Sequence, residues 1–146
     1  MRACYPLRVG TSRNSGNPHP VVHQEEVTIA ELLKGAGYTS AAFGKWDLAG
    51  HSQTKYQPEL LPTRQSFDYF FGAPTSNDSI VHLLRNDKVV EKNAKMEGLM
   101  RRFTDEAIGF IRRSKDRPFF VYLAQSMPHI KLAVSPQFRG KPEGGI

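Results

Sequence analysis

The sequence predicts an α/β protein with a mostly parallel sheet flanked by helices, and two repeats of one pattern predict it. A capped helix starting at Thr28 runs into a short strand, and a second amphipathic helix over about 97–114 runs into the apolar stretch Phe119–Ala124, with a long insert between the two pairs. Alternating helices and apolar strands build parallel sheets with helices on their faces. The bulk composition agrees. The 146 residues are 39% hydrophobic and 23% charged, within the range of globular domains that bury a core.

The first 25 residues read as loop, with Gly, Ser, Asn, Pro and His crowding Gly10 to Pro20. Thr28-Ile29-Ala30-Glu31 is a capping box, in which the hydroxyl and the carboxylate satisfy open backbone donors of the first turn. Ile29, Leu32 and Leu33 supply an apolar face at helical spacing, and Gly35 and Gly37 stop the helix. Tyr38–Phe43 then reads as a buried strand. Residues 44–66 read as irregular, broken by Pro58 and Pro62, and Phe67–Gly72 as an aromatic run that packs in the core. Ile80–Leu84 and Val89-Val90 flank Arg85-Asn86-Asp87-Lys88, which predicts a hairpin. In the second helix Leu99, Phe103, Ala107, Phe110 and Ile111 share one face, and the pairs Arg101-Arg102 and Arg112-Arg113 fall on a solvated one. Phe119–Ala124 is apolar throughout, as in a central parallel strand. Two strong strands make a poor sheet by themselves, and the chain closes on loop composition, so it reads as an incomplete piece of a larger domain.

Composition also narrows function. The net charge of +6 comes from scattered basic residues, with no RNA-binding aromatic signature and no zinc-finger spacing, so nucleic acid is not an expected partner. A single cysteine excludes an internal disulfide and any multi-cysteine metal site. No apolar run approaches the ~20 residues of a membrane span. The start Met1–Pro6 carries no secretory signal.

Ligands of open α/β sheets bind beyond the carboxyl ends of the strands. Two segments sit there: Gly44-Lys45-Trp46-Asp47-Leu48-Ala49-Gly50-His51, and Gln125-Ser126-Met127-Pro128-His129-Ile130-Lys131. Lys45, His129 and Lys131 are candidates to meet one anion, because an ammonium offers charge and three donors while an imidazole binds an oxyanion or protonates a leaving oxygen. From spacing alone, a surface lysine and a loop histidine are the favoured readings of these residues.

Val27–Leu33 through Gly37-Tyr38 to Gly44-Lys45-Trp46 closely resembles the second sulfatase signature, T-x-A-E-x-L-K-x-x-G-Y-x-T-x-x-x-G-K-W-H-L-G. Leu61–Gly72 with Ser76-Asn77-Asp78 is similar to the family's next conserved stretch, and Pro118–Leu123 through Met127-Pro128-His129 to its strand and Pro-His turn. The resemblance runs from about Cys4 to Lys141 with every block in order. It implies a partial alkaline-phosphatase-like fold and an enzyme that hydrolyses sulfate esters when intact, acting on a small molecule or a sulfated glycan. It implies that Lys45 and His129 contact the sulfate group. Asp47 stands where the family has a histidine. A carboxylate beside a sulfate repels it, so Asp47 is expected to pair with Lys45 or turn away, and His51 is the nearest imidazole that could substitute.

The family's nucleophile is a formylglycine made from the cysteine of C-x-P-S-R, and Cys4-Tyr5-Pro6-Leu7-Arg8 fits that pattern loosely. Tyr5–Arg8 fits the later family element T-G-x-Y-P-x-R better, which leaves Cys4 at a variable position. The resemblance also implies a calcium ion whose ligands lie outside this chain. Asp68 and Asn77-Asp78 read instead as turn formers and caps, so no metal ligand is assigned here. The alternatives are a phosphonate or phosphate monoester hydrolase of the same superfamily and a degenerate, non-catalytic anion-binding homologue. Members of the family are commonly periplasmic, secreted or lysosomal.

Overall fold

The computed structural model describes residues 22, 24–50, 56–77, 80–129 and 132–141. Helix α1 spans Ile29–Gly35 and leads into strand β1, Thr39–Lys45. Strand β2 is Tyr69–Ala73, and β3 (Leu83–Arg85) and β4 (Lys88–Glu91) form the expected hairpin. Helix α2 covers Leu99–Ser114 and β5 covers Phe119–Ala124. The sheet order is β4-β3-β2-β1-β5. β1 pairs in parallel with both β2 and β5, and the hairpin extends the sheet antiparallel from β2.

Alternation along the strands builds two cores. Ala41 and Phe43 of β1, Phe71 and Ala73 of β2 and Leu83 of β3 point to one face, where Leu99, Phe103, Ala107 and Phe110 of α2 cover them. Ala42, Phe70 and Leu84 point to the other, where Ala30, Trp46, Leu60, Leu61 and Phe67 pack. The period of two that sorts these side chains is that of any pleated strand buried on both faces.

Thr28 caps α1 as its sequence requires, its hydroxyl oxygen accepting from the Glu31 amide at 3.2 Å. The same hydroxyl donates to the Gln65 carbonyl at 3.0 Å, tying the cap to the insert. The apolar face expected of α1 is corrected. Ala30 is the buried residue, while Ile29 and Leu32 are exposed and Leu33 is half-buried. A seven-residue helix presents little more than one contact, and here the smallest apolar side chain makes it. On α2, Ile111 is likewise exposed. Arg102 is not merely solvated: it pairs with Glu91 at 2.7 Å and lies over the Phe71 ring.

Three further readings change. The aromatic run at Phe67–Gly72 contains β2, a strand at the middle of the sheet. The insert carries two 3₁₀ turns, Pro58–Leu60 and Pro62–Arg64, each with proline at its first position. β5 is parallel, as expected, but stands at the end of the sheet among the described residues. Its side chains are only half-buried and Leu123 is exposed.

A charged lock fastens the hairpin to α2. Arg85 donates to Glu106 from both terminal nitrogens, at 3.0 and 2.5 Å, and also to the Tyr69 hydroxyl, which itself donates to Glu106 at 2.8 Å. The Arg85 hydrogen bonds hold the Glu106 carboxyl below its ordinary range. Burial, then the Glu106 carboxylate, pushes the Tyr69 phenol up to about 12. The depressed carboxyl adds stability above the unfolded value of 4.5, and that contribution is lost as pH falls through the lower folded value. The raised phenol adds stability below 10, lost as pH climbs toward 12. Glu106→Gln is therefore expected to flatten the acid limb of the stability profile and to cost about 1 kcal/mol at pH 7, a small figure because the Arg85 side chain is 44% exposed. Urea unfolding between pH 3 and 7 checks this; an unchanged acid limb would remove the lock from the account.

Candidate functional site

Because β1, β2 and β5 run parallel, their carboxyl ends emerge on one edge of the sheet. The register aligns those ends closely. Lys45 lies level with Ala73, and Gly44 with both Gly72 and Ala124. Three loops therefore leave side by side, carrying Thr75 to Asn77, then Lys45 and Asp47, then Gln125 to His129.

Glycine permits this approach. Gly44 has φ +103°, and a Cβ there would fall 1.8 Å from the Ala124 carbonyl oxygen. A Cβ on Gly72 would fall 1.9 Å from the carbonyl oxygen of Gly44. Only a residue without a side chain lets the three backbones converge here.

Beyond the strands, backbone hydrogen bonds keep the first two loops in step. The Trp46 amide donates to the Ala73 carbonyl at 2.9 Å and the Asp47 amide to Pro74 at 3.2 Å. Trp46 anchors its loop from below. Its indole N–H donates to the Leu60 carbonyl at 2.9 Å, and its ring packs edge-on against Phe67 and Tyr122. Lys45 and Asp47 are brought together, with Nζ 3.2 Å from Oδ2 and both side chains 20% exposed. Asp47 sits at φ +54°, a left-handed conformation that short polar side chains tolerate. The expected pairing with Lys45 is thus observed.

His129 is half-buried on the loop that follows β5, after the cis Met127-Pro128 peptide. Its loop leaves the sheet at the edge where β1 also ends. A groove of about 560 Å³ adjoins this loop, lined by Met127, Pro128, Leu132 and Phe138 against Met100 and Thr104 of α2, but by neither Lys45 nor Asp47. His51, Lys131, Cys4 and Asp78 lie outside the described residues. Asp68 is exposed and acts as a cap: it accepts from the Ser40 amide and from Lys34, both at 2.9 Å. Burial raises its carboxyl, but these contacts outweigh burial and the net shift is downward.

Sequence reasoning missed the buried polar residues on the two loops that flank the Lys45 loop. Thr75, Ser76, Asn77 and Ser126 are all buried. Asn77 reads from sequence as a turn former or cap, and the parallel pairing of β2 with β1 brings its loop to the same edge as Lys45.

The sulfatase family model matches residues 1–145. The chain belongs to the sulfatase family. This sulfatase-family chain is 29% identical to arylsulfatase G of Rattus norvegicus over 76% of its own length and 27% of the relative's. It is 31% identical to an arylsulfatase of Hemicentrotus pulcherrimus over 94% of its length and 29% of the relative's. It thus spans under a third of the curated relatives it matches. A solved sulfatase structure from the glycosaminoglycan metabolism of Bacteroides thetaiotaomicron (BT33336S-sulf) superposes with a TM-score of 0.77 at 21% identity, covering 94% of this chain and 42% of that one. BT4656, solved with its substrate D-glucosamine-2-N,6-O-disulfate, superposes with a TM-score of 0.63 at 22% identity, over 94% and 25%. These likenesses establish the alkaline-phosphatase-like fold. No helix among the described residues is long and apolar enough to cross a membrane.

Proposed function

We propose that residues 1–146 are an incomplete sulfatase catalytic domain in which Lys45 and His129 hold the sulfate group of a sulfate ester. The observation that carries this is the parallel register of β1 with β5. It puts the loops bearing both residues at one edge of the sheet, in a chain whose family is established. Lys45 supplies a full positive charge and donors to the sulfate oxygens. His129 adds a hydrogen bond to the anion or a proton to the leaving ester oxygen. Asp47, which occupies the family's histidine position, pairs with Lys45 and competes with the sulfate for its ammonium. The substrate class is a sulfated small molecule or glycan, supported by the disulfated sugar named as substrate of one structural neighbour.

Calcium and formylglycine belong to the intact enzyme in this reading. Among the described residues no group of three or more His, Cys, Asp or Glu side chains could hold a metal ion, so no step is assigned through one.

The test is an NMR titration of the chain with inorganic sulfate. Lys45 and His129 side-chain signals are expected to shift together along one binding curve. Shifts at only one of the two, or at neither, would sink the shared site. A parallel assay with an aryl sulfate and calcium is expected to show no turnover. Turnover abolished by Cys4→Ala would restore Cys4 as the nucleophile.

A further inference from the structure

We infer that Asn77 is a positioning residue, the fastener that holds the His129 loop in register with the Lys45 loop. The inference rests on the sulfate-site reading above. Asn77 is fully buried, 0% exposed, four residues beyond β2. Its amide nitrogen donates across 3.4 Å to the carbonyl of Ser126, two residues beyond β5. The other side of its loop is tied to β1's continuation through the Trp46 and Asp47 amides, which donate to Ala73 and Pro74. A continuous path of hydrogen bonds thus runs from Lys45's immediate neighbours, through residues 73–77, to the segment that ends at His129.

The path matters because strand pairing stops short of these residues. The last paired positions are Gly44 with Ala124 and Lys45 with Ala73. Beyond them the Gln125 amide ties the His129 loop to α2, donating to the Thr104 hydroxyl at 2.9 Å, and the Asn77 amide ties it toward the Lys45 side. The polarity of the position points the same way. Asn77 Oδ1 and Ser126 Oγ are buried with no hydrogen-bond partner among the described residues. A buried acceptor without a partner costs about 1–3 kcal/mol, so an apolar residue of equal volume would suit packing better. What such a residue lacks is the donor that the Ser126 carbonyl receives.

The test compares the wild-type chain with Asn77→Leu, which keeps most of the volume and removes the donor, and with Asn77→Ala. Ala107→Gly in α2, whose side chain packs in the core under the sheet, serves as a control that lowers stability without removing a loop hydrogen bond. Each is studied where circular dichroism shows it fully folded. Backbone ¹⁵N relaxation dispersion without sulfate is expected to reveal new motion at Ser126, Met127 and His129 in both Asn77 variants, with Trp46 and Asp47 unchanged. Sulfate affinity is expected to fall about tenfold in the Asn77 variants, with the His129 response lost before that of Lys45, and to hold in Ala107→Gly. Unchanged dispersion at 126–129 would overturn the inference, as would an equal loss of affinity in the control. Failure of both Asn77 variants to fold would overturn it too, making Asn77 a determinant of the fold. A wild-type chain that ignores sulfate would defeat the sulfate-site reading, while the dispersion data would still decide whether Asn77 fastens the loops.

Discussion

Gly44→Ala is expected to leave the chain largely unfolded. The new Cβ would sit 1.8 Å from the Ala124 carbonyl oxygen and 2.6 Å from its carbon. Both are backbone atoms in a paired strand and cannot swing aside as the end of a flexible side chain would. The φ of +103° adds strain for any L residue. A sparsely populated backbone conformation costs about 1–3 kcal/mol, and overpacking a well-filled site costs about as much again. The sum is a large share of the ~5–15 kcal/mol by which a domain is stable. β5 has little to spare, being half-exposed and paired only through β1 among the described residues. Gly72→Ala should act in the same direction, since its Cβ would meet the Gly44 carbonyl at 1.9 Å. Urea unfolding followed by circular dichroism reads the effect. A Gly44→Ala chain within about 1 kcal/mol of wild type would show that the three strand ends are not packed as described.

Lys45→Ala and Asp47→Asn are expected to move sulfate affinity in opposite directions. Removing the ammonium takes away a charge-assisted hydrogen bond worth about 1.5–3 kcal/mol, a tenfold to hundredfold loss in affinity. Removing the carboxylate charge frees Lys45 from a partner 3.2 Å away and relieves repulsion of the incoming anion. Both side chains are only 20% exposed, so solvent screens this exchange poorly, and a gain of about threefold to tenfold follows. The double variant should resemble Lys45→Ala, because the carboxylate acts largely through the lysine. Titration with inorganic sulfate measures all three. Wild-type affinity in Lys45→Ala would remove Lys45 from the site, and weaker binding in Asp47→Asn would show that the carboxylate supports the anion.

Local chemistry was legible residue by residue. Thr28 announces the start of α1 because a cap hydroxyl acts on donors within its own turn. Leu99, Phe103, Ala107 and Phe110 announce the buried face of α2 because helical spacing is a property of the chain itself. Asn86-Asp87 between two β-rich runs announces the hairpin, with Asn86 at φ +57° in its turn. Lys45 and His129 were found as the polar residues following apolar strands, and the family motif singled them out from other loop cations.

Sequence alone was enough for the helices, the hairpin, the existence of β1 and β5 as strands, and the family resemblance of this chain. Tertiary structure alone decided the rest. Phe67–Gly72 became a central strand, and not merely aromatic core, only once β1 offered it a parallel edge. Ile29 and Leu32 were left exposed because Ala30 is the residue of α1 that reaches the core. Asn77, forty-nine residues from Ser126, had no local signal of burial or partnership, since the contact that defines it joins two loops brought together by parallel pairing. Neighbours a few residues away shape helices, caps and turns, whereas a site at the ends of parallel strands is assembled from segments whose meeting depends on the whole sheet.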